Sequence, residues 1–197
     1  MSTSSPPGAY HHGNLRPTLL KAAMVMLETH GAAGLGLREL ARVVGVSPAA
    51  PYRHFDSKTA LLEALAITGY QRFSTIMRGA EAGSAPAQRI GAMGHAYVRF
   101  ALDNPNLFRL MFSPELKREG RPGLKMAADA AFDTLRAVTE ALPEGGKRIG
   151  ALKAWAQVHG LAVLLLDGQI ALRAGEDIDA LIAAVVDPAR QSGEGSA

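Results

Sequence analysis

Hydrogen-bond donors of several chemical kinds lie close together in the stretch SPAAPYRHFDSK, residues 47–58. Tyr52, Arg53, His54 and Lys58 supply a hydroxyl, a guanidinium, an imidazole and an ammonium group. Groups of these types donate hydrogen bonds to phosphate oxygens, above all near the N-terminus of a helix. The chemistry open to this stretch is therefore contact with a phosphate backbone.

Two prolines mark the start of the element that carries these donors. Ser47 can cap a helix with Pro48 at its first position, where the missing N–H has no intrahelical partner in any case. Pro51 is then the fourth helical position and forfeits only the bond to the carbonyl of the cap residue. The sequence thus predicts a short helix over residues 48 to about 54. Its first turn is a low-profile surface, made of Pro48, Ala49 and Ala50.

The elements that position this stretch are helical. Apolar residues at helical spacing predict one helix from Leu15 that stops at HGAAG, residues 30–34, and a second over 37–44 that Gly45 ends. A fourth helix starts after Asp56 or Ser57 and runs to the Gly- and Pro-containing stretch 79–86. Two short helices joined by a tight turn at residues 45–47 form a helix-turn-helix pattern, which reads DNA in the major groove.

Composition sets the fold class. The chain has 197 residues, 48% of them hydrophobic and 20% charged, which favours an all-α soluble protein. Residues 1–60 hold six Lys and Arg against three acidic residues, and the remainder is balanced at 15 against 15. The whole positive excess therefore lies in the N-terminal third. Charge alone fits a solvated basic face equally well, and that is our interpretation of Arg38 and Arg42.

Other functional classes find little support. The chain has no Cys nucleophile, no Gly-rich phosphate loop and no HExxH motif, so we expect neither an enzyme nor a cofactor. The first residues lack a secretory signal pattern. The longest apolar stretch, near residues 160–172, is too short to span a membrane and contains Asp167, which predicts a buried helix. We expect a cytoplasmic protein that binds no membrane.

The stretch LRELARVVGVSPAAPYRHFDSKTALLEAL, residues 37–65, resembles the DNA-binding domain of the TetR/AcrR family of transcriptional regulators. The likeness includes the 45–47 turn, Tyr52, the His54-Phe55 pair and Lys58. It continues more faintly in WAQVHGLAVLLLDG, residues 155–168, which is similar to the Trp-His-Gly signature of one regulator subgroup. Gly36 departs from the family's capping Thr or Ser, and Pro51 departs from its common Leu.

The resemblance implies an all-α fold: an N-terminal three-helix helix-turn-helix domain, then a C-terminal helical bundle for ligand binding and dimerisation. We expect a flexible arm at 1–14, the DNA-binding domain at 15–60, a linking helix and boundary at 61–83, the effector and dimerisation domain at 84–188, and a disordered tail at 189–197.

The resemblance assigns phosphate contacts to Tyr52, His54 and Lys58. The low-profile turn after Ser47 would face base edges, where apolar contact with thymine methyls is the available readout. Arg53 reaches a base or a phosphate, and Arg16 with the His11-His12 arm adds backbone or minor-groove contacts. The alternative for Tyr52 and His54 is that they merely cover Phe55 and the first helix.

An effector cavity is also implied for the C-terminal half. Its candidate wall consists of Tyr97, Phe100, Phe108, Met111, Phe112, Met126, Phe132 and Trp155, with His159 beside them. Plain core packing is the alternative for each of these side chains. His159 could hold a ligand or a metal, but no second His or carboxylate sits at ligand spacing beside it, so we expect a hydrogen-bonded core histidine and no metal site.

The segment 147–173 is apolar nearly all round, which predicts burial against its own domain and a second subunit. The expected homodimer contacts are Leu161, Leu164, Leu165, Leu172, Leu181 and Val185. The sequence thus predicts a dimeric repressor that leaves a palindromic DNA operator when an unidentified small-molecule effector binds. The alternative is a helical protein-protein adaptor without specific DNA binding.

Overall fold

The computed structural model describes residues 15–85, 88–137 and 144–186. Across these residues the chain forms eight α-helices and no strand, which confirms the predicted all-α class. The expected N-terminal arm, with His11 and His12, and the expected tail at 189–197 lie outside the described residues.

The helices follow one another with short connections. They are α1 (Leu15–His30), α2 (Leu37–Val44), α3 (Lys58–Ala82), α4 (Arg89–Asp103), α5 (Pro105–Met111), α6 (Pro122–Ala137), α7 (Glu144–Leu166) and α8 (Ile178–Val186), with a 3₁₀ helix at Pro51–Arg53 between α2 and α3. The chain divides into two compact units between Leu62 and Glu63, so α3 contributes to both.

The first unit is built around a small apolar core. Leu19 and Leu27 of α1 are fully buried, as are Leu40 of α2 and Leu61 at the start of α3, while Phe55 is 2% exposed. These positions recur at helical spacing, so burying them fixes which face of each helix points inwards. The opposite faces are left to the solvent.

Gly45 ends α2 and sets the turn of the helix-turn-helix. Its φ of 76° and ψ of 33° lie in the left-handed region that side chains disfavour. The N–H of Val46 donates to the Ala41 carbonyl at 3.0 Å, and that of Gly45 donates to the Arg42 carbonyl at 3.3 Å. These are the bonds of a Schellman cap, which satisfies the last carbonyls of a helix.

The predicted recognition helix over 48–54 is shorter and tighter than expected. Residues 48–50 form a turn, and only Pro51–Arg53 is helical, as a 3₁₀ helix. Because Pro51 has no N–H, the Ser47 carbonyl instead accepts from Ala50 N at 2.9 Å. The His54 N–H similarly donates three residues back, to the Pro51 carbonyl at 3.0 Å. The missing donor of Pro51 thus accounts for the tighter turn at residues 47–50.

The second unit is centred on α4, which packs against α7 and α8. Gly94 allows α8 to come close, because a Cβ added there would lie 2.8 Å from the Cβ of Val186. The helix predicted over 147–173 ends at Leu166 instead. Gly168, with a φ of 66°, forms a second Schellman cap there.

Within the described residues, one segment, 148–166 of α7, is long and apolar enough to span a membrane by length and composition alone. The core helix of a soluble protein meets the same criterion. Part of its apolar surface remains exposed in the single chain, since Val163 is 37% exposed and Leu164 is 44% exposed. This exposed apolar surface is where the predicted second subunit would complete the burial of the helix.

Candidate nucleic-acid interface and effector cavity

The surface predicted to read DNA is accessible. Ser47, Pro48 and Ala49 are exposed, and Ala50 is half-buried. None of these side chains is longer than a hydroxymethyl group or a proline ring, so the backbone of another molecule can approach closely. The geometry suits shallow contact with base edges.

Pro51 and Tyr52 have opposite environments although they are neighbours. Pro51 is buried, whereas the Tyr52 side chain is 45% exposed. Pro51 thus anchors the 3₁₀ helix to the core, and Tyr52 remains accessible to another molecule. The sequence predicts Pro51 as the fourth helical position and as a departure from the family's common Leu, but it does not predict that Pro51 is buried.

Arg53 is exposed and His54 is half-buried. The ring of Phe55 next to them is covered from another direction, because the guanidinium carbon of Arg16 lies 5.2 Å from its centroid. This is a cation–π contact, and it joins the start of α1 to the segment that precedes α3. Arg16 therefore has a partner inside the unit in addition to any contact with DNA.

Lys58, the first residue of α3, is likewise tied to its own unit. Its Nζ donates to the Ala33 carbonyl at 2.8 Å and so holds the loop between α1 and α2. An ammonium group has three donors, and this bond uses one of them. The following turn is capped by Ser57, whose Oγ accepts from the Ala60 N–H at 3.1 Å.

Arg42 lies on the solvated face that the sequence predicted for it. Its side chain is 74% exposed and forms an ion pair with Glu39 at 2.6 Å. The hydrogen bond from Arg42 lowers the pKa of the Glu39 carboxyl. Arg38 is exposed as well.

The second unit contains a cavity of about 190 Å³ between α3, α4, α6 and α7. Four of the predicted wall residues line it: Tyr97, Phe112, Phe132 and Trp155. The sequence missed Tyr70 and Phe73 of α3, which complete the aromatic wall, and Arg118 of the loop between α5 and α6. Only tertiary packing brings these residues to the cavity.

The other predicted wall residues are placed elsewhere. Phe108 and His159, again with Phe112, line a second cavity of about 300 Å³. Phe100 borders a groove along α3. Met111 is buried against the Gly69 position. Met126 is 71% exposed and belongs to neither cavity wall, because its position on α6 points to solvent.

A chain of hydrogen bonds lies between the two cavities. Trp155 Nε1 donates to the Tyr97 hydroxyl at 3.2 Å, and that hydroxyl lies 2.9 Å from His159 Nδ1. A tyrosine hydroxyl has a single proton, so Tyr97 can donate it to Nδ1 while accepting from Trp155. His159 then carries its own proton on Nε2, and it is hydrogen-bonded as a core histidine should be.

Burial shifts the pKa values of Tyr97 and His159, the two ionisable members of this chain of hydrogen bonds. It raises the pKa of Tyr97 and lowers the pKa of His159, because a buried charge loses its hydration. Both groups are therefore held neutral near pH 7. Among the described residues, no group of three or more His, Cys, Asp or Glu could hold a metal ion.

The predicted dimer residues fall into two groups. Leu164 and Leu172 are each 44% exposed, and Leu165, Leu181 and Val185 are half-buried. Leu161 is only 6% exposed, so it packs inside its own unit and offers a second subunit little surface.

Known sequence families match most of the chain. The family described as bacterial regulatory proteins, tetR family, matches residues 19–65. The tetracyclin repressor-like C-terminal domain matches residues 90–188. The first match contains the helix-turn-helix, and the second contains helices α5, α6, α7 and α8.

Two curated proteins are similar to parts of the chain. The chain is 39% identical over 100 residues to the nucleoid occlusion factor SlmA of Aliivibrio fischeri, across 50% of this chain and 51% of that protein. It thus spans about half the length of that curated relative. It is 31% identical over 140 residues to SlmA of Marinobacter nauticus, across 68% of this chain and 70% of that protein.

A solved structure of a protein with unknown function from Rhodococcus sp. RHA1 has a TM-score of 0.80. The two chains are 34% identical, and the alignment covers 94% of this chain and 98% of the other. The two family matches, which together cover most of the chain and include the accessible helix-turn-helix, mean that the chain belongs to the TetR family of bacterial regulatory proteins.

Proposed function

We propose that this chain is a homodimeric, cytoplasmic repressor that binds a palindromic DNA operator and releases it when a small organic effector occupies the cavity of the second unit. TetR-family regulators are DNA-binding proteins rather than enzymes, in agreement with the sequence-based prediction.

The observation that carries the DNA-binding part is the accessible surface from Ser47 to Tyr52. It sets small side chains beside exposed donors, on a segment that the buried ring of Pro51 and the buried Phe55 hold in place. Rigid support of this kind keeps the contacting atoms in register with a nucleic-acid groove. We assign base-edge contact to residues 47–50, and phosphate contact to Tyr52, His54 and Lys58.

The apolar side chains left exposed on α7 and the loop after it support the proposed dimerisation. Val163, Leu164 and Leu172 present hydrophobic surface that a second copy can cover. A two-fold dimer presents two recognition segments to successive major grooves, about 34–36 Å apart or a multiple of that distance. A palindromic operator is the expected DNA partner.

Effector release requires coupling between the cavity and the DNA-reading surface. Such coupling is reciprocal, so the effector must weaken DNA binding by the factor by which DNA weakens effector binding. The cavity of about 190 Å³ supplies the binding site for this step.

The first test is selection of bound sequences from genomic or random DNA by the purified protein. The affinity for the most strongly selected DNA sequence is then measured at several salt concentrations. We expect a palindrome bound at least about 10³ times more tightly than random DNA. Weak binding that ignores sequence and disappears with added salt would instead favour the adaptor function.

A matched pair of variants locates the surface. Ala49→Asp places a negative charge where we expect DNA, and Val25→Asp makes the same change at a 64% exposed position of α1. We expect Ala49→Asp to abolish operator binding and Val25→Asp to retain most of it. Equal losses would mean that the DNA-reading surface lies elsewhere.

A role in nucleoid occlusion is a second candidate, favoured by the names of the curated relatives at 39% and 31% identity. A strain that lacks the gene distinguishes the two. Division septa formed across the chromosome would indicate nucleoid occlusion, whereas altered transcription beside the selected operator, with normal septa, would indicate repression.

A further inference from the structure

The cavity of the second unit has an aromatic wall. Six of the ten residues that line it are aromatic: Tyr70, Phe73, Tyr97, Phe112, Phe132 and Trp155. Several meet edge to face, including Phe132 and Trp155 with ring centroids 5.4 Å apart and Tyr70 and Phe112 at 5.9 Å. Rings in this arrangement favour a flat or compact apolar guest, because a further ring can add edge and face contacts of the same kind.

The polar side-chain atoms at the inner end of the cavity need no hydrogen bond from a ligand. The Tyr97 hydroxyl is occupied by Trp155 Nε1 and His159 Nδ1, and the Tyr70 hydroxyl donates to the Met111 carbonyl at 2.6 Å. Throughout the described residues, no buried side-chain nitrogen or oxygen lacks a hydrogen-bond partner. A polar atom placed deep in the cavity would therefore lose its hydration without compensation.

One charged side chain at the cavity lacks an opposite charge. Arg118 is exposed, and its Nη2 lies 3.3 Å from the hydroxyl of the buried Tyr70, so its guanidinium marks the open end. In the parts of the chain that the structure describes, no carboxylate lies within ion-pair distance of it. Asp129, the acidic residue of the wall, is paired with Lys125.

Two other arginines of the same unit, in contrast, are paired with carboxylates. Arg121 forms an ion pair with Glu63 at 2.7 Å, and Arg109 forms one with Asp167 at 2.7 Å. A guanidinium offers a planar fork of donors that matches a carboxylate. A guanidinium that has no carboxylate partner among the described residues, at the mouth of an apolar cavity, is therefore complementary to an anion with an apolar body.

We infer that the cavity binds a small organic carboxylate, with its apolar and preferably aromatic body between the aromatic walls and its carboxylate on the guanidinium of Arg118. The inference rests on the proposed effector function and names the chemical class of that effector. At about 190 Å³ the cavity is smaller than the roughly 300–1,000 Å³ of pockets for drug-sized ligands, so the body is about one ring in size.

The test uses three probes of nearly equal shape: 3-phenylpropanoate, its neutral amide and the cationic 3-phenylpropylamine. Trp155 is the only tryptophan of the chain and lines the cavity, so tryptophan fluorescence reports occupancy directly. We expect the carboxylate to bind about tenfold more tightly than the amide, the lower end for a charge-assisted bond because Arg118 is exposed. The amine should bind most weakly.

Variants assign the preference to one side chain. Arg118→Gln should bind carboxylate and amide equally, and Arg118→Lys should retain part of the preference because it keeps the charge. Lys117→Gln is the matched control: it removes one positive charge from the adjacent exposed position, outside the cavity wall, and should bind as the wild type does. Thermal unfolding of each variant separates loss of binding from loss of fold.

The inference is overturned if the amide binds as tightly as the carboxylate, if no probe binds, or if the preference survives in Arg118→Gln. Operator affinity, measured with and without 3-phenylpropanoate, tests the proposed function separately. A carboxylate preference that depends on Arg118 but leaves operator affinity unchanged would support the site and contradict its regulatory role.

Discussion

The Tyr97 hydroxyl lies 2.9 Å from Nδ1 of His159, 62 positions further along the chain, and this contact joins α4 to α7. Trp155 donates to the same hydroxyl, so one oxygen serves two side chains of α7. Phe112 and His159 also meet, with ring centroids 4.6 Å apart. The two cavities are thus separated by a wall whose polar atoms satisfy one another.

Removing that oxygen should destabilise the second unit. Tyr97→Phe keeps the ring but leaves the Trp155 N–H and the His159 nitrogen without their shared partner. We expect the free energy of unfolding to fall by about 1–3 kcal/mol, as measured by urea denaturation. Tyr52→Phe is the control, since that side chain is 45% exposed and should change stability by less than about 0.5 kcal/mol. Equal effects would show that the Tyr97 hydroxyl stabilises nothing.

Stability should also depend on pH through His159. Burial lowers the pKa of the folded state below the ordinary value of 6.5, so below that pH the unfolded chain binds a proton that the folded chain does not. The contribution is fully present above pH 6.5 and is lost as the pH falls through the folded pKa. Urea midpoints measured from about pH 8 down to about pH 5 should fall less steeply for His159→Gln. Parallel curves would contradict this.

The sequence predicted the elements that local chemistry decides. Gly45 ends α2 because it adopts a left-handed conformation that favours glycine. Apolar spacing predicts α1 and α3 because each of these helices buries one apolar face. The apolar pattern overestimated the length of α7, although the Asp167-Gly168 pair is a sequence signal for the end of a helix. The likeness of residues 155–168 to the Trp-His-Gly subgroup stays a prediction.

The sequence did not predict what tertiary packing decides. Tyr70 and Phe73 line the cavity only because α3 continues beside α4, and their spacing fits ordinary core packing equally well. Arg118 lies in a loop, and a loop has no repeating apolar pattern from which its position at the cavity could be predicted. The Arg16–Phe55 contact joins residues 39 positions apart, so local patterns cannot reveal it.

Two glycines that flank α2 should respond in opposite ways to the same substitution. A Cβ would meet nothing within 4 Å at either position, but Gly36 has a φ of −149° and Gly45 a φ of 76°. Gly36→Ser adds a side-chain cap and should stabilise by a few tenths of a kcal/mol. Gly45→Ser should cost about 1–2 kcal/mol, because the left-handed region is strained for a side chain. Thermal unfolding checks both, and changes of the same sign would contradict the conformational argument.

Lys58 combines a bond that the structure shows with a DNA contact that the resemblance implies, and one variant separates the two. Lys58→Met removes the hydrogen bond to the Ala33 carbonyl, which should lower the free energy of unfolding by about 0.5–1.5 kcal/mol. If Lys58 also neutralises a phosphate, the slope of log affinity against log salt should become shallower by about 0.9 per contact.

Lys21→Met is the matched control for that experiment, because Lys21 is an exposed cation of α1 outside the expected DNA-reading surface. It should change neither stability nor salt slope. A Lys58→Met variant that is less stable but keeps the wild-type slope would limit Lys58 to holding the loop after α1. Because the dimer carries two copies of each residue, a true phosphate contact should change the slope by about 1.8 in total.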